Sequence, residues 1–156
     1  MDQEIRFCRA SDGTQIAYAV VGDGPPLVKA PNWLTHLEFE WNSPVWRHWW
    51  EELARDHALV RFDQRGSGLS DRFVGEQSFD TWVGDLGAVT DDLGLDRFSL
   101  LGISQGGAIA AAYTVHNPGR VNRLVMYGAY PRGMAKRGDT NEEEFEALLT
   151  LTRAGW

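Results

Sequence analysis

Cysteine is scarce in this sequence, an excess of basic charge is absent, and no apolar stretch is long. With Cys8 as its single cysteine, the chain cannot form an internal disulfide or a cysteine-based zinc site. The net charge of −7 excludes a basic field for nucleic acid or an anionic membrane surface. No apolar run approaches the ~18 residues of a membrane span, and the charged start of the chain is not typical of a signal peptide. We therefore expect a cytoplasmic protein.

The composition is otherwise that of one folded domain. The chain has 156 residues, of which 43% are hydrophobic and 24% charged, and it contains seven tryptophans. A chain of this length buries roughly 68–70% of its unfolded surface, which is enough for a real core. No His-Glu-x-x-His pattern, G-x-G-x-x-G pattern or phosphate-loop lysine occurs, so we expect neither a metal nor any other cofactor.

Hydrophobic patterning predicts the order of the elements. Alternation on both sides of a turn at 11–14 predicts a β-hairpin. Short apolar runs then predict strands, and amphipathic or alanine-rich stretches predict helices between them. The predicted strands are 27–30, 58–62, 98–103 and 123–127, and the predicted helices are 44–56, 79–93 and 105–117. Strands alternating with helices favour parallel pairing, with helices on both faces of the sheet.

The predicted fold class is therefore α/β, a mostly parallel sheet preceded by an N-terminal β-hairpin. We expect residues 1–138 to form the core and residues 139–156 to form a C-terminal helix. Thr140 and Glu143 are placed to form the capping box of that helix. The helix would begin a cap or lid region, or serve as an oligomerisation element.

One motif carries chemistry. Residues 102–106 read Gly-Ile-Ser-Gln-Gly, between a predicted strand and a predicted helix, which is the context of a nucleophile elbow. The turn is too sharp for side chains two positions on either side of the serine, so Gly102 and Gly106 supply the space. Ser104 is then presented above the sheet. The backbone N–H of Gln105 points into the same space from a helix N-terminus, where an anion is favoured.

With the Gly-Asp-Gly-Pro-Pro turn at 22–26 and the Asp-Gln-Arg-Gly-Ser-Gly-Leu-Ser loop at 63–70, this elbow resembles the α/β-hydrolase family. The resemblance covers about residues 4–130. It implies that Ser104 is the nucleophile, that backbone N–H groups of Gln105 and Trp33 form the oxyanion hole, and that the 63–70 loop is a structural clasp. Residues 31–36 replace the family's usual His-Gly pair, a variant similar to hydrolase domains that accompany bacterial cyclases and transcriptional regulators.

The resemblance also shows what is missing. The family places an acid and then a histidine after the nucleophile, whereas no histidine follows His116 here. The resemblance therefore covers the N-terminal half of a full hydrolase, a truncated α/β-hydrolase fold. Of the four histidines, His36 alone follows the carboxyl end of a predicted strand, the edge where such sheets bind ligands. His36 is thus the candidate base within the chain, and the alternative is an ordinary polar loop residue.

The expected function is that of a serine hydrolase, carboxylesterase-like, which cleaves small carboxylic esters through an acyl-enzyme on Ser104. The alternatives are a non-catalytic ligand-sensing or interaction fragment, or an inactive truncation. The final predicted strand leaves an open sheet edge, and the tail helix has an apolar stripe. Both features predict a homo-oligomer or a complementing C-terminal half. We expect a small-molecule ester as the substrate, and neither nucleic acid nor membrane as a partner.

Overall fold

The computed structural model of the chain describes residues 2–75, 77–130 and 142–155. Within those ranges the chain forms six strands and five helices. The strands are β1 (Glu4–Arg9), β2 (Gln15–Val21), β3 (Pro26–Ala30), β4 (Ala58–Phe62), β5 (Phe98–Ile103) and β6 (Val121–Tyr127). The helices are α1 (Leu37–Asn42), α2 (Arg47–Leu53), α3 (Phe79–Asp92), α4 (Gln105–His116) and α5 (Glu142–Gly155).

All six strands join one sheet in the order β1-β2-β4-β3-β5-β6. The hairpin strands β1 and β2 pair antiparallel, and β2 continues antiparallel onto β4. From β4 onward every pairing is parallel. The predicted mostly parallel sheet with an N-terminal hairpin is confirmed, and the parallel order brings the carboxyl ends of β3, β4 and β5 to one edge.

The sheet separates two hydrophobic layers, as predicted. Side chains on one face pack against α3 and α4. Side chains on the other face pack against Trp41 of α1 and Trp50 of α2, both of which are buried. The alternation is plain in three adjacent strands, where Val28, Val60 and Leu100 face the first layer and Leu27, Leu59 and Leu101 face the second. Strands β3, β4 and β5 are thus covered by helices on both faces.

The helix predicted at 44–56 is wrong in its bounds. Ser43 ends the preceding helix α1, and α2 spans only Arg47–Leu53. The intervening residues form a turn, because the Ser43 carbonyl accepts the N–H groups of Trp46 and Arg47 at 3.2 and 2.9 Å. Pro44 has no N–H to donate to this turn.

Helix α1 itself is not predicted by the pattern. Its sequence, Leu-Glu-Phe-Glu-Trp-Asn, alternates apolar and acidic residues with the period of a strand. The structure buries Leu37, Glu40 and Trp41, which share one helical face. A six-residue helix is too short for hydrophobic periodicity to distinguish it from a strand.

Strand β6 is one of the two edge strands of the sheet. It pairs with β5 on one side, and its side chains from Asn122 to Tyr127 are exposed. Helix α5 lies within the predicted C-terminal helix, but the predicted boundary at residue 138 and the capping residue Thr140 lie outside the described residues. None of the helices in the described ranges combines the length and apolar character needed to cross a bilayer.

Candidate active site

The turn from β5 into α4 has the backbone of a strained elbow. Ser104 has φ 52° and ψ −122°, and α4 begins at the next residue. Among the described residues other than glycine, only Ser104 and Leu34 have positive φ. The Ser104 N–H donates to the carbonyl of Tyr127 at 3.0 Å, which ties the turn to β6. Such a conformation costs roughly 1–3 kcal/mol and persists only where the surroundings hold it.

The Ser104 side chain is available for chemistry. Ser104 is half-buried, so its hydroxyl is not enclosed in the core. The side chain makes no capping hydrogen bond to α4, although serine commonly caps a helix at this position. The Ser104 carbonyl accepts the Gly107 N–H at 3.0 Å, which starts α4 immediately behind the serine. The hydroxyl therefore stands at the N-terminus of a helix, where backbone donors face an incoming anion.

The glycines around Ser104 are required by close contact of main chains. A Cβ on Gly102 would lie 2.5 Å from the Gly107 Cα. A Cβ on Gly106 would lie 2.8 Å from the carbonyl oxygen of Ala30 and 3.0 Å from that of Pro31. These distances leave no room for a Cβ at Gly102 or Gly106. The second contact also shows that the segment after β3 lies directly against the elbow.

That segment carries Trp33, one of the two residues expected to form the oxyanion hole. Trp33 is 56% exposed, and Leu34 beside it is the other non-glycine residue with positive φ, at 57°. Gln105, the second expected donor, is half-buried at the first position of α4. The structure thus brings the loop of Trp33 to the elbow of Ser104 and Gln105, through the main chain of residues 30 and 31.

Hydrogen bonds link three loops near the elbow, and no pattern in the sequence predicts them. The Gln105 side chain donates to the Gln64 side-chain oxygen at 3.2 Å. The Gln64 N–H in turn donates to the Thr35 hydroxyl at 2.9 Å. The loops that follow β3, β4 and β5 are therefore joined at the carboxyl edge of the sheet. The only signal in the sequence is that a glutamine follows both Asp63 and Ser104.

Asp63 is a structural residue of the 63–70 loop, as the resemblance implies. It is fully buried, and its Oδ2 accepts the N–H groups of Leu37 at 3.2 Å and Leu69 at 2.9 Å. Burial raises the pKa of this carboxyl, while the hydrogen bonds from those two N–H groups lower it. These two main-chain donors tie the carboxyl group to the start of α1 and to the loop.

Arg65 anchors the same loop to the body of the domain. Its guanidinium forms two hydrogen bonds to Asp85 of α3, at 2.7 and 2.5 Å, and one to Asp12 of the hairpin turn at 2.6 Å. Arg65 and Asp85 are both buried. The hydrogen bonds to Asp85 raise the pKa of Arg65, and the hydrogen bond from Arg65 lowers the pKa of Asp12. Arg65 is therefore a structural residue of the 63–70 loop, as the resemblance implies.

The four histidines lie in different parts of the fold. His36 caps α1, and its Nδ1 faces the Phe39 N–H at 3.5 Å. His48 is exposed on α2, His57 contacts the Leu53 carbonyl before β4, and His116 ends α4. In the part of the chain that the structure describes, no hydrogen bond joins Ser104 to a histidine. The same part of the chain holds no group of three His, Cys, Asp or Glu residues placed to bind a metal.

Known proteins resemble this chain over most of its length. A family model described as alpha/beta hydrolase fold matches residues 31–150. The non-heme chloroperoxidase of Streptomyces lividans is 33% identical over 155 residues, which cover 92% of this chain and 54% of that protein. The 2-hydroxy-6-oxo-2,4-heptadienoate hydrolase of Pseudomonas putida is 39% identical over 111 residues, covering 70% of this chain and 36% of that protein.

A solved structure agrees with these sequences. The structure of an esterase from Rhodococcus sp. ECU1013 matches 81% of this chain and 46% of its own, at a TM-score of 0.68 and 35% identity. The chain spans about half the length, or less, of each of these three proteins. The range that the family model matches includes the elbow at 102–106 and strands β4 to β6.

Proposed function

The chain belongs to the α/β-hydrolase family, and on that premise we propose that it is a serine hydrolase of the carboxylesterase type. Its substrates are small carboxylic esters, and Ser104 carries the acyl group. The observation that supports this most directly is the Ser104 conformation, with φ 52° at the start of α4 and a hydroxyl that makes no capping bond. A backbone strained at a single serine is typical of a site at which that side chain reacts.

The proposed reaction follows from the groups around the elbow. The Ser104 oxygen attacks the ester carbonyl carbon while a base takes its proton. The oxyanion that forms is held by the N–H of Gln105, at the N-terminus of α4, and by the N–H of Trp33. Collapse breaks the ester C–O bond, the proton passes to the leaving alcohol, and the acyl group remains on Ser104. Water then releases the acid and restores the hydroxyl.

The substrate class rests on the chemistry of the surface and on the relatives. Trp33, Leu34 and Phe39 expose apolar side chains on the segment that follows β3. These side chains suit a small apolar acyl or alcohol group better than a charged one. Two of the similar proteins are named a hydrolase and an esterase. These names support hydrolysis in general, and the exposed apolar side chains favour a small ester.

Labelling with a serine-directed fluorophosphonate tests the proposal. The Ser104 oxygen displaces fluoride from phosphorus only if the hydroxyl is activated and the phosphoryl oxygen is stabilised. We expect one equivalent of label, located at Ser104 by peptide mass spectrometry. If the folded chain takes up no label, the non-catalytic alternatives, a ligand-sensing fragment or an inactive truncation, replace the hydrolase proposal.

We propose His36 as the base within the chain. It is the one of the four histidines that follows the carboxyl end of a strand in the sheet. Its contact with the Phe39 N–H is 3.5 Å long, at the outer limit of a hydrogen bond, so it does not fix the imidazole tautomer. Acting as the base would require the ring to give up this long contact, so that its unprotonated nitrogen can face the serine proton.

Replacing His36 by asparagine separates the proposed base from the helix cap. Asparagine is a favoured N-cap residue, so α1 keeps its cap, but it cannot accept a proton at neutral pH. We expect kcat for a nitrophenyl ester to fall by about 10²-fold, with little change in melting temperature. His48→Asn, at an exposed histidine of α2, is the matched control and should keep the wild-type rate. An unchanged rate in His36→Asn would remove His36 from the mechanism.

We also propose that the open edge of β6 pairs with a second copy of the chain. Val125 and Met126 at this edge are about half exposed, at 50% and 47%. An unpaired edge strand with apolar side chains is a template for another strand. Light scattering at micromolar concentration should give the mass of a dimer, and Val125→Lys should shift it to a monomer. A monomeric wild-type chain would favour the other possibility, a complementing C-terminal half.

A further inference from the structure

Lys29 lies on β3, in the interior of the sheet, where burying a charged residue has a large free-energy cost of desolvation. It is 2% exposed, and its neighbours in β3, Val28 and Ala30, are fully buried and apolar. Burial lowers the pKa of Lys29 to about 8, with Glu40 opposing the shift and Arg61 adding to it. An apolar side chain at this position would avoid the desolvation penalty.

Glu40, the carboxylate that most opposes the effect of burial on Lys29, is engaged elsewhere. Arg61 is the register partner of Lys29 on β4, and its guanidinium binds Glu40 at 3.1 Å and the side chain of Gln3 at 2.7 Å. Within the described ranges Lys29 forms no salt bridge. Its ammonium group lies 5.3 Å from the centroid of the Trp50 ring. A buried cation held this way brings little stability, which indicates another reason for its presence.

The hydrogen bond of Lys29 leads to the loop beside the elbow. The Lys29 Nζ donates to the Asn32 side-chain oxygen at 2.5 Å. The Asn32 amide nitrogen donates in turn to the main-chain carbonyl of Trp33 at 3.4 Å. The next residue is Leu34, whose φ of 57° needs support from its surroundings. A side chain rooted in the sheet thus reaches the turn that carries the Trp33 N–H.

We propose that Lys29, acting through Asn32, is a positioning residue that holds the 31–34 turn against the Ser104 elbow. A charged donor suits this task because its hydrogen bond to an amide oxygen is stronger than a neutral one. The catalytic consequence, a correctly placed N–H of Trp33, rests on the proposed function. The mechanical part of the proposal does not rest on the proposed function, because Lys29 and Asn32 hold the turn whether or not Ser104 reacts.

Amide hydrogen exchange of the full chain tests the mechanical part without any substrate. Lys29→Met keeps an unbranched side chain of similar length over Trp50 but removes the donor, and Asn32→Ala removes the acceptor. In both variants we expect the amides of residues 32–36 to exchange at least tenfold faster than in the wild type. The double variant should exchange no faster than either single one, because both remove the same hydrogen bond.

The control lies on the neighbouring strand. Leu101 is the register partner of Lys29 on β5 and is buried on the same face. Leu101→Met conserves side-chain volume and leaves the Lys29–Asn32 hydrogen bond in place, so exchange at 32–36 should not change. The amides of β5 serve as an internal reference. Unchanged exchange at 32–36 in the Lys29 and Asn32 variants, or faster exchange of β5 to the same degree, overturns the proposal.

Kinetics on a nitrophenyl ester test the catalytic part. We expect Lys29→Met and Asn32→Ala each to lower kcat about tenfold with KM changed less than twofold, because the turn acts on the transition state. A faster-exchanging turn with an unchanged kcat overturns the positioning role. A faster-exchanging turn in a chain without Ser104-dependent hydrolysis leaves the mechanical role standing and removes the proposed function instead.

Discussion

Replacing Ser104 by alanine is expected to lower the hydrolysis of an activated ester by ~10³-fold or more, to the residual rate that the oxyanion site and binding supply without a nucleophile. The proposed reaction passes through a bond to the Ser104 oxygen, and removal of the nucleophile from an acyl-enzyme mechanism typically costs ~10³-fold or more in kcat. The oxyanion site and binding, which the substitution leaves in place, alone supply ~10³–10⁴-fold over water, so the variant should stay above the uncatalysed rate. Steady-state kinetics with a nitrophenyl ester measure the loss of rate. Covalent labelling with the fluorophosphonate measures the loss of the nucleophile.

This substitution should leave the stability of the fold almost unchanged. The Ser104 hydroxyl makes no capping hydrogen bond, and alanine adopts the same strained backbone, so the free energy of unfolding should stay within about 0.5 kcal/mol of wild type. Ser99→Ala is the matched control, because Ser99 is a half-buried serine on the same strand, β5. It should keep both the rate and the label. A Ser104→Ala variant that hydrolyses the ester as fast as Ser99→Ala would exclude the acyl-enzyme.

Local signals in the sequence were sufficient to predict the architecture. Alternation predicts the hairpin, and short apolar runs give β4 and β5 with the observed bounds. Helix α3, predicted at 79–93, begins at a capping box in which the Ser78 side chain accepts the Thr81 N–H and the Thr81 hydroxyl accepts the Ser78 N–H. Helix α1 could not be predicted, because its alternating sequence matches a strand and its helical face is defined only by burial against the sheet.

The residues of the candidate site also differ in whether a local sequence pattern predicts them. Ser104, Gly102 and Gly106 are predictable because a strand, a sharp turn and a helix leave a fixed spacing in the sequence. The contact between Gln64 and Gln105 depends on β3 lying between β4 and β5, which no local pattern specifies. The burial of Lys29 is similar, since a lysine within a short apolar run is also compatible with an edge strand. Tertiary contacts decide both cases.

A methyl group at Gly102 is expected to destabilise the domain by more than about 2 kcal/mol, which lowers the melting temperature by several degrees. The Gly102→Ala Cβ would lie 2.5 Å from the Gly107 Cα and 2.8 Å from the Gly106 carbonyl oxygen. Both contacts are with main chain, so no side-chain rotation relieves them. The start of α4 has to move away from β5, and Ser104 moves with it.

Gly84→Ala is the matched control, with the opposite sign. Gly84 is exposed in the interior of α3, and a Cβ there meets nothing within 4 Å. The same added methyl should therefore stabilise the domain by about 0.5–1 kcal/mol through helix propensity. Thermal melts of the two variants measure the difference. Fluorophosphonate labelling should persist in Gly84→Ala and be lost in Gly102→Ala under conditions where both are folded. If Gly102→Ala melts and labels like wild type, the main chains at the elbow are not in close contact, and the steric account of Ser104 is wrong.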